Sequence, residues 1–506
     1  MNSRDVLRLI LLVGFCFVGA YSDAKPVEKD AVVIGAKSFT ESAILGHMLG
    51  ALAEDAGSSV TVRVFPGSAI AFNALLAGEI DAYPEYTGTL SRELLAGERI
   101  ASEGELRRAL ARRGLAMSDP IGFNNTYAIG VTRETAERLR LRTISDLRDH
   151  PGLRFAFSTE FMSRADGWPS LREAYGLSNQ ARGIEHSLAY GALESGAIDV
   201  TDLYVTDAQI ASMDLVTLDD DLAHFPRYDA VILYRTDLAE RHPGAFTSMM
   251  RLQGAIDEMT MRSLNERSEI GASGEERQPP EQVARHAATA ILGVDQQWTP
   301  STLHQRLINR TREHLTLVGV SMLFALLASI PLGVVAAKSE SLSGPILAAV
   351  GILQTIPAIA LLVLLIRPFG IGPPTAMIAL FLYSLLPIVR NTHAGLTTIP
   401  GDLLESADAI GLGPLERLSR VELPLALPMI MAGVKTAVVI NIGAATLGGF
   451  ISAGGYGQPI FTGITQNNFA KILEGALPAA ALAILAQLVF DAIERLVVAK
   501  GLRSMK

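Results

Sequence analysis

The chain has 506 residues, 49% hydrophobic and only 19% charged, with a net charge of −9 and a mean hydropathy of +0.30. So little charge over this length places part of the chain in a membrane, and the acidic balance, with no basic stripe interleaved with aromatics, argues against nucleic acid as a partner. A single cysteine, Cys16, excludes disulfides, a cysteine zinc site and a cysteine nucleophile from the remainder.

The first 24 residues carry two arginines, a short apolar core and then small residues, the pattern of a secretory signal. Ser22-Asp23-Ala24 is the expected cleavage site, with an uncleaved anchor as the alternative; Phe15 before Cys16 makes a poor lipidation site. Either way the next segment is exported. Residues 25–293 are mixed and acidic. They alternate a strand over 32–35, a helix over 40–56, a strand over 60–64 and a helix over 69–77, an α/β pattern. IGAKSFTES (34–42) is no phosphate loop, because Ala stands where the second glycine must admit phosphate, and GVVAAKS (333–339) fails in the same way. The nine histidines show no metal-binding spacing.

An internal echo is more informative. ALLAGEIDAYPEY (74–86) and ALESGAIDVTDLY (192–204) both read Ala-Leu-x-x-Gly-x-Ile-Asp, with a tyrosine five residues past the aspartate. Each predicts a helix end, a glycine turn, a short strand and a tyrosine at its carboxyl end, where ligands bind in open α/β sheets. Two such lobes facing each other make a clamshell. We expect lobe 1 at about 30–126 and 230–293 and lobe 2 at about 127–229, with Tyr127 (NNTYAIG) and Tyr228 (FPRYDAV) on the crossings. Together with Tyr86 and Tyr204 they suit an aromatic cage, whose electronegative faces attract a cation that hydrogen bonds poorly, such as trimethylammonium. Lys37, Thr89 and Arg164 are the candidate partners of a carboxylate, which arginine grips in bidentate fashion. Cage plus clamp fits a zwitterion with a quaternary amine at one end. The cage by itself fits choline, the reading that holds if Lys37 and Arg164 point away.

Beyond a linker over 295–302 the chain turns apolar. Residues 303–313 predict an interfacial helix with Arg306, Arg310 and Arg312. Five runs follow that are long enough for membrane helices, at 315–337, 345–366, 374–389, 428–450 and 477–498. With 25–293 outside, positive charge gathers inside at Lys338, Arg390, Lys500, Arg503 and Lys506, Arg367 and Lys471 being the exceptions. ESADAIGLGPLERLSRVELP (405–424) then faces the cytoplasm. It predicts a short amphipathic helix over 403–410, a break at GLGP and a second helix from about Leu415, the glycine permitting the turn. Such a knuckle suits docking into a groove on a separate ATPase.

Residues 31–293 resemble the substrate-binding proteins of glycine betaine/carnitine/choline ABC importers, in IGAKSFTES, GEIDAYPEYTGT, NNTYAIG, SRADG, DLYVTD and FPRYDA. The resemblance implies a type II-like periplasmic-binding-protein clamshell with Tyr86, Tyr127, Tyr204 and Tyr228 as the cage, and Lys37, Thr89 and Arg164 on the carboxylate. GSAIAF (67–72) departs from the family's Gly-Gly-Thr. Residues 303–506 resemble the matching permease, an all-α transmembrane domain. Its ATPase-coupling motif, Glu-Ala-Ala-x-x-x-Gly with a later Leu-Pro, is here Glu405, Ala407, Gly411, Leu423 and Pro424, with Ser406 for the first Ala. The resemblance implies a fused receptor–permease subunit and not an enzyme. Two copies would pair with two ATPase subunits, and ATP-Mg sits on that partner, with no cofactor in this chain. The location implied is a bacterial inner membrane, with the receptor periplasmic or extracellular. An ergothioneine importer would share the architecture. A ligand-gated channel or sensor is the rival of another class, against which the knuckle argues. A membrane enzyme would need a nucleophile elbow, metal cluster or paired acids that the sequence does not offer.

Overall fold

The computed structural model describes residues 31–98, 100–271, 276–294, 301–466 and 468–497. The signal segment with Cys16, linker residues 295–300, and Lys500, Arg503 and Lys506 lie outside the described residues. The chain divides into two compact units, one holding residues 27–300 and the other most of the chain from 301 onward.

The strands of the first unit are β1 (Val32–Lys37), β2 (Val60–Phe65), β3 (Ala82–Tyr86), β4 (Leu115–Met117), β5 (Tyr127–Thr132), β6 (Phe155–Ser158), β7 (Ala181–Ile184), β8 (Thr201–Tyr204), β9 (Leu215–Leu218) and β10 (Ala230–Arg235). One sheet runs β2-β1-β3-β10-β4, with β10 antiparallel to both neighbours and the β1 pairings parallel. In the other lobe β8-β5-β9 is antiparallel, β6-β7 is parallel, and a parallel bridge from Phe155 to Val200 joins β6 to the start of β8. The second lobe therefore reads β7-β6-β8-β5-β9 and repeats the first strand for strand. The sequence echo falls on equivalent strands, β3 and β8, ending at Tyr86 and Tyr204. Its glycines, Gly78 (φ 74°) and Gly196 (φ 64°), hold the left-handed turns that lead into them.

Helix α1 (Thr40–Asp55) follows β1 and is buried on nearly every face. Gly46 lets it lie against the strand, for a Cβ there would come within 2.7 Å of Ala36 Cβ. The crossings between lobes pair with each other: Asn124 bridges Asp229, and the Asn125 N–H donates to the Tyr228 carbonyl at 3.0 Å.

The second unit is helical: α2 (Leu303–Lys338), α3 (Glu340–Thr355), α4 (Ala358–Phe369), α5 (Pro373–Thr397), α6 (Gly401–Ala409), α7 (Pro414–Arg417), α8 (Leu423–Ala444) and α9 (Phe469–Val497). Among the described residues four helices are long and apolar enough to cross a membrane, or five if α3 and α4 count as one bent span. Helix α5 lies between α2 and α8, where glycines permit close approach. A Cβ at Gly333 would sit 2.5 Å from Thr392 Cβ, and one at Gly433 would sit 2.6 Å from the Pro387 carbonyl.

Three expectations change. The interfacial helix and the first membrane run are one helix, started by a capping box of Thr302 and Gln305 and continuing through Pro331 to Lys338. Its arginines bind neighbouring groups: Arg306 pairs with Glu474 at 2.8 Å, and Arg310 reaches Glu313 at 2.9 Å and Gln458 at 2.6 Å. The second run is broken at Pro357, where α3 and α4 meet at 98°, since proline lacks an N–H and drives the residue before it out of the helical region. The Tyr383 hydroxyl donates to the freed Ile356 carbonyl. The third run is longer than its apolar stretch and continues to Thr397.

Candidate functional site

Three of the four predicted tyrosines come together. Tyr127 opens β5, Tyr204 closes β8, and their antiparallel register sets them opposite each other. Their ring centroids are 4.9 Å apart and their hydroxyls 3.2 Å apart. Tyr228, on the returning crossing, meets Tyr127 edge-on at 5.7 Å. Arg164 lies over this group, with Cζ 5.4 Å from the Tyr127 centroid and 5.7 Å from that of Tyr228. Tyr86 takes Phe39 as its ring neighbour, with centroids 6.3 Å apart. Lys37 Nζ stands 4.6 Å from the Tyr86 centroid and 5.3 Å from that of Phe39. The site thus has two parts, each a cation set on aromatic faces.

Thr89 is buried in the turn after β3, and this turn lies against Tyr228: a Cβ on Gly88 would come within 2.4 Å of the Tyr228 ring. Thr87 fastens the same turn, since its N–H donates to the Asp229 carbonyl at 3.1 Å.

The two cationic candidates for the carboxylate, Lys37 and Arg164, already hold protein carboxylates. Lys37 donates to Glu85 at 2.5 Å and to Ser68 at 3.1 Å. Arg164 forks onto Asp166 at 2.8 and 3.0 Å, and its Nη1 reaches across from the second lobe to Glu93 of the first at 2.6 Å. Its Nη2 also donates to the Tyr228 hydroxyl at 3.1 Å. Burial works against the Arg164 charge, but Tyr127, Asp166 and Tyr228 hold its pKa above the usual arginine value. Burial would push Asp166 up; Arg164 outweighs it and keeps the carboxyl below the usual range. Burial pushes Tyr86, Tyr127 and Tyr204 far above the ordinary phenol value, so all three are neutral donors.

Further buried side chains hold Tyr86 and Tyr204 in place. The Tyr86 hydroxyl donates to Glu41 at 2.5 Å; Asn125 and Asn265 donate to the same carboxylate at 2.8 and 3.1 Å. Burial raises the Glu41 pKa. Behind Tyr204 stands His186, ring centroids 4.9 Å apart. Burial opposes its charge, yet Asp207 and Asp202 lift its pKa to about 9. Sequence reasoning missed Phe39, Glu85, Asp166 and His186. The first three lie within two residues of a predicted site residue, so charge balance around each buried cation is the signal that would have found Glu85 and Asp166.

In the second unit the knuckle forms as two short helices, α6 and α7. Gly411 between them has φ 81°, a left-handed position that suits glycine. Ala407 is buried, Glu405 is exposed, and Leu423 and Pro424 open α8. Ile410 and Leu415, on either side of Gly411, are 76% and 81% exposed.

Comparison with known proteins assigns both units. Residues 30–289 match the substrate-binding domain of the ABC-type glycine betaine transport system, and residues 329–501 match the binding-protein-dependent transport system inner membrane component. The choline transport system permease protein OpuBB of Bacillus subtilis (strain 168) is 40% identical over 200 residues, 40% of this chain and 92% of that protein. The glycine betaine/carnitine/choline transport system permease protein OpuCD of the same organism is 45% identical over 183 residues, 36% of this chain and 80% of the relative. A crystal structure of a glycine betaine/carnitine/choline ABC transporter is 32% identical, covering 52% of this chain and 100% of its own, with a TM-score of 0.45. The chain therefore belongs to the ABC-type glycine betaine transport family and carries that family's substrate-binding domain and inner membrane component in one polypeptide.

Proposed function

We propose that this subunit imports a small zwitterionic quaternary amine, glycine betaine or a close relative, from the outer face of a bacterial inner membrane. The first unit captures the solute between its lobes. Tyr127, Tyr204 and Tyr228 take the ammonium end, with Tyr86 closing from the other lobe. Lys37, Thr89 and Arg164 take the carboxylate by exchanging part of their bonding to Glu85, Asp166 and Glu93. The observation that carries this reading is the convergence of three tyrosine rings, two of which, Tyr127 and Tyr228, lie under one guanidinium. Faces that already hold a delocalised protein cation will also attract a weakly hydrated one.

The second unit provides half of the pathway, and two copies pair with two ATPase subunits that bind and hydrolyse ATP. The knuckle is their docking point, through Ile410 and Leu415 with Glu405, Ala407 and Gly411 shaping it. Helix α9 leaves Leu477, Ile484, Leu485 and Leu488 more than half exposed, apolar surface for lipid or for the second copy. Calorimetric titration of the purified chain with glycine betaine, proline betaine, carnitine, choline and ergothioneine tests the assignment. Tight binding of a small carboxylate-bearing betaine with choline much weaker is the expected result; no heat with any quaternary amine overturns the cage.

A second reading is choline as the solute. It is favoured by the internal pairing of both Lys37 and Arg164, which leaves the aromatic faces as the recognition element. Choline binding tighter than glycine betaine in the same titration would select it.

A further inference from the structure

The knuckle is tied to the first membrane helix by a chain of charges. Asp408, on α6, accepts two hydrogen bonds from Arg417 Nη1, each 2.7 Å. Arg417, which ends α7, donates through Nε to Glu422 Oε1 at 3.0 Å. The other oxygen of Glu422 faces Lys338 Nζ at 2.5 Å. Lys338 is the last residue of α2, where a cation also meets the negative end of the helix dipole.

Glu422 is the unusual member. Its side chain is 2% exposed, against 26% for Arg417 and 41% for Lys338. A carboxylate so deeply buried is stable only while paired. The planar guanidinium fixes its geometry on two acids at once. A displacement of the knuckle must then carry Glu422, and Glu422 must carry Lys338, or a buried charge loses its partner. Helix α2 is roughly 54 Å long at 1.5 Å per residue. Its far end is fastened as well: Glu313 accepts from Arg310 at 2.9 Å and from the Gly455 N–H at 2.7 Å, and Arg306 pairs with Glu474. The helix is a rod held at both ends, with one end held through Glu422.

We propose that Glu422 is a positioning residue for transport, the joint through which the Asp408–Arg417 knuckle and Lys338 move α2 together when the ATPase acts. The proposal rests on the reading of the knuckle as the ATPase contact. The test uses the full chain assembled with its ATPase in proteoliposomes, with radiolabelled glycine betaine as the solute. It follows ATPase co-purification, ATP hydrolysis and solute imported per ATP. Glu422→Gln and Lys338→Gln should each keep the ATPase bound and lower solute imported per ATP by about tenfold. Because both act on one joint, the double variant should be no worse than either single one. Lys338 is partly exposed at a helix end, so its variant remains informative if Glu422→Gln folds poorly. Losses that multiply in the double variant, or single variants with normal solute per ATP, overturn the joint. Release of the ATPase by Glu422→Gln overturns it too, because the residue then shapes the docking surface. Failure of the docking reading is a separate result: Gly411→Asp would leave both ATPase association and uptake unchanged.

Discussion

Lys37 and Glu85 form a buried pair in which two jobs, stability and ligand recognition, can be separated. Their side chains are 5% and 0% exposed and meet at 2.5 Å. Lys37→Met leaves the Glu85 charge without its cation, and breaking a buried pair in this way costs about 3–5 kcal/mol. For a unit of this size that lowers the melting temperature by roughly 6–20 °C. Lys37→Met combined with Glu85→Gln removes the charge and keeps an oxygen for the Tyr86 N–H, which donates to Glu85 at 3.0 Å. Most of the lost stability should return, to within about 1 kcal/mol of the parent. Recognition behaves differently. If Lys37 also holds the ligand carboxylate, the single and double variants should both lose glycine betaine affinity, by about 2 kcal/mol or more, roughly thirtyfold. Choline, with no carboxylate, should bind both variants as it binds the parent. Unfolding can be followed by the fluorescence of Trp168, which is 5% exposed in the second lobe, and affinity by calorimetry. Parent-like glycine betaine affinity in the double variant would refute the carboxylate role. Equal destabilisation of both variants would refute the charge argument.

Other substitutions probe other parts of the site. Gly88→Val would place a side chain where a Cβ would come within 2.4 Å of the Tyr228 ring; affinity for every quaternary amine should fall at least about tenfold, read by the same titration, although no tyrosine is changed. His186 has a folded pKa of about 9, above its ordinary 6.5. Its stabilisation is therefore complete below pH 6.5 and is lost as pH rises through about 9, with an upper bound of about 3 kcal/mol. Melting of the first unit should fall over that window in the parent and stay flat in His186→Gln. Gly411→Asp forces a side chain onto φ 81° at the knuckle, a strain of about 1 kcal/mol. Ligand binding should be unchanged and uptake abolished, and normal uptake would remove Gly411 from coupling.

The periodicities of the sequence were sufficient for the architecture. Alternating strand and helix patterns, the duplicated Ala-Leu-x-x-Gly-x-Ile-Asp and the apolar runs are local properties, and local properties decide which elements form. The duplication even anticipated that Tyr86 and Tyr204 close equivalent strands, because the same helix–glycine–strand unit builds both lobes. The break at Pro357 was not legible locally, for Pro331, Pro387, Pro428 and Pro478 also lie in apolar runs and their helices continue.

Tertiary structure decided what the side chains do there. No pattern in the sequence says that Arg164 leans on Tyr127 and Tyr228, that Lys37 is neutralised by Glu85, or that Tyr86 turns to Phe39 while the other three tyrosines meet. Those choices follow from the cost of burying charge: each cation must find an anion within reach once the lobes come together. Glu422 makes the same point in the helical unit. In the sequence it is one acid among several in a charged stretch, and only the packing of α2 against the knuckle buries it between Lys338 and Arg417. Which residues are charged is a property of the chain, whereas which charges are desolvated, and therefore obliged to pair, depends on how distant segments are brought together.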